Sequence, residues 1–462
     1  MLLLINAALM SAALACGGSD GTPIPTDPPP QPTYTIGGTL SGLAAAASVV
    51  LQDNAGHDLT LNANGAFTFS TRLNNGAAYS VTVLTQPAGQ VCSVTSGSGT
   101  VGAANVANVI VVCASPASTA SRFAYVPNTA SNNVSAFAID AKTGALTEIA
   151  GSPFAARDYP LSFTNTPSGT FGYVINAKSN NISAFRIDAT TGALTEIPGS
   201  PFATGANPLV MSIAPSGKFA YVTNADSNNI SAFSIDATTG ALAPVTGSPF
   251  AAGIFPRSIS IDPSGKFAYV ANAGDGVDFR TINAYSIDAT TGVLTEIAGS
   301  PFTAGTFPAA ITVDPSGKFV YVANRVSMNV SAFSINAATG ALTALPGSPF
   351  AAGTAEIDHV TVASSGKFAY VTSGKSNSIL AFNVDVTTGA LTALPGSPFA
   401  AGADYPWSIT VDPLSKFAYV ANTHSNSISI FSIDAATGAL TATNTIPSGN
   451  APIYVTIAGA TK

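Results

Sequence analysis

The sequence predicts an all-β protein, a seven-bladed β-propeller preceded by a small β-sandwich. A phrase of about 48 residues recurs seven times, it divides into short strands with no helical period, and its first and last copies are complementary fragments. The repeat is marked by a Tyr in "FAYV" or a close variant, at Tyr125, Tyr173, Tyr221, Tyr269, Tyr321, Tyr370 and Tyr419.

Each copy reads as four strands. In the copy from Pro208 to Phe250, "LVMSIA" is innermost and ends at "PSG", where Pro presets φ and Gly accepts a positive one. The second strand, "KFAYVTN", is apolar on both faces, as a strand sandwiched between neighbouring blades must be. "NISAFSID" and "ALAPVTG" follow, joined by the Gly-closed turn "ATTG". "GSPF" recurs six times, ending at Phe154, Phe202, Phe250, Phe302, Phe350 and Phe399, and is read as a wedge packing one blade on the next. The first copy lacks an innermost strand and the chain finishes with "PIYVTIAG". Residues 452–458 are therefore expected to pair within 122–150 and close the ring, leaving no open sheet edge.

Ahead of the propeller, residues 1–16, "MLLLINAALMSAALAC", read as a lipoprotein signal with Cys16 as the lipidated residue. The expectation is an exported envelope protein held to a membrane by lipid, with outer-membrane sorting the default because Gly17, not Asp, follows Cys16. Residues 17–33 form a Pro-rich spacer, and 34–114 alternate apolar and polar residues as a small sandwich does. Its two cysteines, Cys92 and Cys113, are expected to form a disulfide. The propeller is assigned to 115–462.

Composition narrows the function. Charged residues are 8% of the chain, the net charge is −7, and no basic patch exists, so nucleic acid is not an expected partner. With three His, acid–base chemistry has few candidates, and no cofactor or metal site is indicated. The recurrent Asp of "DATTG" and "DPSG" read as turn-formers. The opposite face carries the "NADSNN" and "GSPFAAG" loops around the channel mouth, where every blade contributes and a ligand is expected.

In a nearly constant repeat the departures carry the information. The two residues after the Pro opening each innermost strand should face the mouth: Leu161-Ser162, Leu209-Val210, Arg257-Ser258, Ala309-Ala310, Asp358-His359, Trp407-Ser408 and Ile453-Tyr454. Polar chemistry therefore concentrates in the blades opened by Arg257, Ala309 and Asp358. An insertion, "AGDGVDFRTIN", and the turn "NRVSMN" add Asp275, Asp278, Arg280 and Arg325, with Glu356 just ahead of Asp358.

The phrase "DPSGKFVYVANRVSMNVSAFSI" at 314–335 resembles the seven-bladed lactonase-like propellers, which include one type of 6-phosphogluconolactonase and the fungal carboxymuconate cycloisomerases; the resemblance covers roughly residues 120–458. It implies an innermost strand opened by Pro-Arg-His, with Arg gripping an acidic substrate and His moving a proton. Here that phrase is split: Pro256-Arg257 is followed by Ser258, and His359 follows Ile357-Asp358. Lactone opening would use His359 as base, oriented by Asp358 or Glu356, with Arg257, Arg280 or Arg325 steadying the oxyanion. Trp407, the only Trp, is placed to stack a sugar or lactone ring. His424 and His57 read as structural. Three functions are thus open: an envelope module binding a small acidic, lactone or sugar-like ligand or a protein partner at the mouth, an extracytoplasmic lactone hydrolase, and an inert scaffold. The binding module is favoured because the active-site phrase is dispersed, and a phosphorylated lactone would rarely meet an exported protein.

Overall fold

The computed structural model describes residues 31–44, 47–87, 90–114, 123–274, 280–353 and 355–458. Cys16 with the signal segment, most of the Pro-rich spacer, Asp275 and Asp278 lie outside the described residues. The chain divides into two compact units, Met1–Ser118 and Thr119–Lys462. Among the described residues no helix is long and apolar enough to cross a membrane.

The first unit is a sandwich of two four-stranded sheets. Strands 65–74, 33–41, 106–114 and 91–95 make one, and 57–61, 49–53, 78–85 and 98–100 the other. Alternating side chains from both sheets, among them Ile36, Leu51, Phe69, Val81 and Val109, form its core. Cys92 and Cys113 sit opposite each other on adjacent antiparallel strands and form a disulfide.

The second unit is the propeller. Six blades run in order, from the strand set 160–165, 171–176, 181–187 and 194–196 to the set 406–411, 417–422, 427–433 and 440–447. The remaining blade, which we count first, joins the two ends of the chain. Thr456–Ala458 pairs with Phe123–Tyr125, and Pro452 makes a single bridge to Asn128.

The seven marker tyrosines join the blades. Each is fully buried, and its hydroxyl donates to the carbonyl of the Gly closing the "ATTG"-type turn of the next blade, as Tyr221 does to Gly292 at 2.9 Å. Tyr419 donates to Gly144 of the first blade at 3.0 Å, so the same bond closes the ring. Burial pushes these phenols well above their ordinary pKa, which keeps them donors. The "GSPF" phenylalanines pack in the clusters between successive blades, Phe250 between the third and fourth for example. The seventh blade has no such phrase. Its fourth strand extends to Pro447 instead, and Ile446 packs into the closing interface.

Candidate functional site at the propeller mouth

The loops leading into the innermost strands build the mouth. The residue ahead of the opening Pro is left-handed in six blades: Tyr159, Asn207, Phe255, Phe307, Tyr405 and Ala451 have φ between 52° and 60°. Such backbone is costly for the four aromatics among them, Tyr159, Phe255, Phe307 and Tyr405. In five of these blades its N–H donates to the Oδ1 of an Asn in the preceding blade's turn, as Tyr405 does to Asn377 at 2.8 Å. These bonds hold side chains of the rim against the axis.

The sixth blade departs. Glu356 stands at the rim position, Ile357 takes the place of the opening Pro, and the innermost strand shortens to His359–Val362. Asp358 is buried, with Oδ2 accepting the Gly374 N–H at 2.9 Å and Oδ1 lying 3.4 Å from Arg325 Nε. Burial raises its pKa, against the pull of Gly374, Arg325 and Arg257. Glu356 accepts from Lys375 at 2.6 Å and from Arg325 at 3.0 Å, and the Lys375 hydrogen bond leads the effects holding it below the usual carboxylate range. Arg325 also donates to the Tyr405 hydroxyl at 3.0 Å. Arg325, Lys375, Glu356 and Asp358 thus come together and neutralise one another.

His359 occupies the position that is a buried Ser in the second, fourth and seventh blades, Ser162, Ser258 and Ser408. It is half-buried there. Its Nδ1 is covered and has no partner among the described residues, its ring meets Tyr454 edge-on at 5.7 Å, and burial lowers its pKa to about 4. Arg280 is exposed at the start of its strand and joins none of these contacts.

Beside this cluster lies a cavity of about 350 Å³. Its wall includes Tyr159, Leu161, Leu209, Arg257, Tyr405, Trp407, His424 and Tyr454. Arg257 is half-buried, 5.3 Å from the Phe307 ring and 5.6 Å from the Trp407 ring, and has no acid partner among the described residues. Burial pulls its pKa down, Tyr454 and Asp358 act in the other sense, and Arg325 adds to the decrease. Trp407 stacks at 6.1 Å on Tyr405, which in turn lies 4.3 Å from the His424 ring, and His424 Nδ1 is 3.7 Å from Asp404.

Arg257 and Trp407 therefore line the cavity as their place after Pro requires, whereas His359, Asp358, Glu356, Arg325 and Arg280 do not. Tyr159 and Tyr405 were missed because the count began after the Pro, and His424, in the turn "NTHSNS", was read as structural. The readable signal was the aromatic recurring just ahead of it, at Tyr159, Phe255, Phe307 and Tyr405. The "DATTG" aspartates serve their own turns: the Thr239 N–H, the Thr239 hydroxyl and the Thr238 N–H hold Asp236 below the ordinary range. Among the described residues no group of three or more His, Cys, Asp or Glu could hold a metal.

Fold and mouth together define a seven-bladed propeller with a small-molecule-sized cavity walled by an arginine and aromatics at its mouth. The lactonase, 7-bladed beta-propeller family model matches residues 116–210, 203–299, 250–355 and 348–457, and the chain belongs to that family. A provisionally assigned 6-phosphogluconolactonase from Bacteroides fragilis superposes with a TM-score of 0.65 at 23% identity, covering 74% of this chain and 99% of that one. The periplasmic gluconolactonase of Pseudomonas aeruginosa does so with a TM-score of 0.63 at 18% identity, covering 73% and 99%. At these identities the likeness is one of fold. No curated protein matches the chain.

Proposed function

We propose that the propeller binds a small anionic, ring-bearing ligand in the mouth cavity. The observation that carries this is Arg257, a half-buried guanidinium facing an aromatic-walled cavity with no acid partner among the described residues. A guanidinium in such surroundings gains most from a carboxylate, whose two oxygens match its fork, while Trp407 and Tyr159 offer faces to a ring. Trp407 is the only Trp of the chain, so its fluorescence reports this cavity alone. Titration with D-glucuronate, D-galacturonate and benzoate should give saturable changes, weakened about tenfold or more in Arg257→Gln. Flat titrations with all three would refute the proposal.

Family membership favours a second reading, lactone hydrolysis at the same cavity. Water attacks the carbonyl carbon as a base takes its proton, the oxyanion faces Arg257, and the same proton passes to the ring oxygen as the C–O bond breaks. His424, backed by Asp404, lines the cavity and His359 does not, so turnover of glucono-δ-lactone in a pH-stat should fall in His424→Asn and survive in His359→Gln. Background rates in the unaltered protein would dismiss this reading and leave the binding one. We further propose, from residues 1–16, export and lipid anchoring through Cys16; palmitate labelling lost in Cys16→Ala would support it, and labelling kept in that variant would refute it.

A further inference from the structure

Resting on the mouth as an anion-binding cavity, we infer that its ligand carries one negative charge, a carboxylate on a single ring, and that phosphorylated analogues of the same body are rejected. The inference follows from where the cations of this face are committed. Arg325 shares the Phe307 and Trp407 rings with Arg257, at 6.0 and 5.6 Å, but its Nε is bonded to Glu356 at 3.0 Å and lies 3.4 Å from Asp358. Lys375 ends on the same Glu356 at 2.6 Å, and Arg157 on Glu196 at 2.7 Å. Lys178 stands 4.8 Å from the Tyr159 ring and lines not the cavity but an adjoining groove, which shares Tyr159 and Asn207 with it and continues to Asn180 and Asp226. His424 faces Asp404 at 3.7 Å, so any charge it takes is matched there.

Among the described residues around Arg257, then, three cations (Arg257, Arg325, Lys375) meet two carboxylates (Glu356, Asp358), and one positive charge is left over. The surplus sits on Arg257, the one member of the five that lines the cavity. A carboxylate cancels it. A phosphomonoester carries between one and two negative charges near pH 7. Its excess would be desolvated against Tyr159, Tyr405, Trp407 and Tyr454 with no second arginine or lysine in the described wall to meet it. The cavity, about 350 Å³, is also near the lower end of small-molecule sites and suits one ring rather than a chain of them.

Matched pairs isolate the charge. D-glucuronate and glucose 6-phosphate carry their charge at position 6 of one pyranose, as the C6 carboxylate or as a phosphate ester of the C6 hydroxyl, and benzoate and phenyl phosphate carry theirs on a phenyl ring. By calorimetry on the full chain, the carboxylate of at least one pair should bind about tenfold or more tightly than its phosphate, and glucose should bind more weakly than glucuronate. Arg257→Gln should level each pair, and Lys178→Ala should leave glucuronate affinity within about twofold. Phosphates binding as tightly as their carboxylates in both pairs, glucose equalling glucuronate, or a marked loss in Lys178→Ala would overturn the inference while leaving the anion-binding cavity in place. Absence of binding by all five compounds would overturn both.

Discussion

Gly292 makes the joint between blades testable by one methyl group. It closes the turn at the outer end of the fourth blade with φ of 76°, and a Cβ there would lie 2.4 Å from the Phe219 ring of the third blade. Ala at positive φ costs about 1 kcal/mol, and forcing a methyl against a packed ring adds about 1–3 kcal/mol. The ring cannot yield freely, because Phe219 is buried in the cluster between the two blades. Gly217 is the control. It has φ of 70°, but the nearest atom to its Cβ, on Pro167, is 3.6 Å away, so Ala there meets the backbone cost alone. For a unit of this size 1 kcal/mol shifts Tm by about 2 °C. Gly292→Ala should therefore melt about 4–8 °C lower and Gly217→Ala about 2 °C lower, measured by circular dichroism. Equal shifts would refute the claim that the turn glycine is a packing element of its neighbour.

Three further outcomes are expected. Tyr419→Phe removes the donor to Gly144 and strands a buried carbonyl, which should cost about 1–2 kcal/mol in urea unfolding, and Tyr221→Phe should cost the same if ring closure is one joint among seven. His359 has a folded pKa of about 4 against an ordinary 6.5, so it binds its proton less readily when folded. Its contribution to stability is present above about pH 6.5 and is lost as pH falls toward 4; His359→Gln should flatten that fall by about 2 kcal/mol, its partial exposure allowed for, in melts between pH 4 and 7. Reducing the Cys92–Cys113 disulfide, which spans 21 residues, should destabilise the sandwich unit by about 3 kcal/mol while propeller melting stays put.

The repeat displayed the architecture because a propeller reuses one solution: strand 219–224 is buried on both faces, and its sequence is apolar at both parities. The complementary ends read correctly as a closed ring for the same reason. What the pattern concealed is the partner of each turn. Gly292 looked like a hairpin residue, yet its neighbours Tyr221 and Phe219 lie some seventy residues earlier, a distance at which local patterning says nothing. At the mouth, counting from Pro placed Arg257, Trp407 and Tyr454 correctly. The charged residues of the fifth and sixth blades were readable as a group, and Arg325, Glu356 and Asp358 do meet. Their mutual neutralisation was not readable, because it depends on which side chains turn toward one another. The cavity opens beside them, toward Tyr159, Leu209 and Tyr454.

The central claim is that Arg257 makes this cavity an anion site, and a fluorine spectrum tests it most directly. Labelled with 5-fluorotryptophan, the full chain yields one resonance, since Trp407 is its only Trp. The account expects that resonance to shift saturably with D-glucuronate and to stay in place when Arg257→Gln is titrated over the same range. A resonance indifferent to the ligand, or one that moves equally in both proteins, would contradict it.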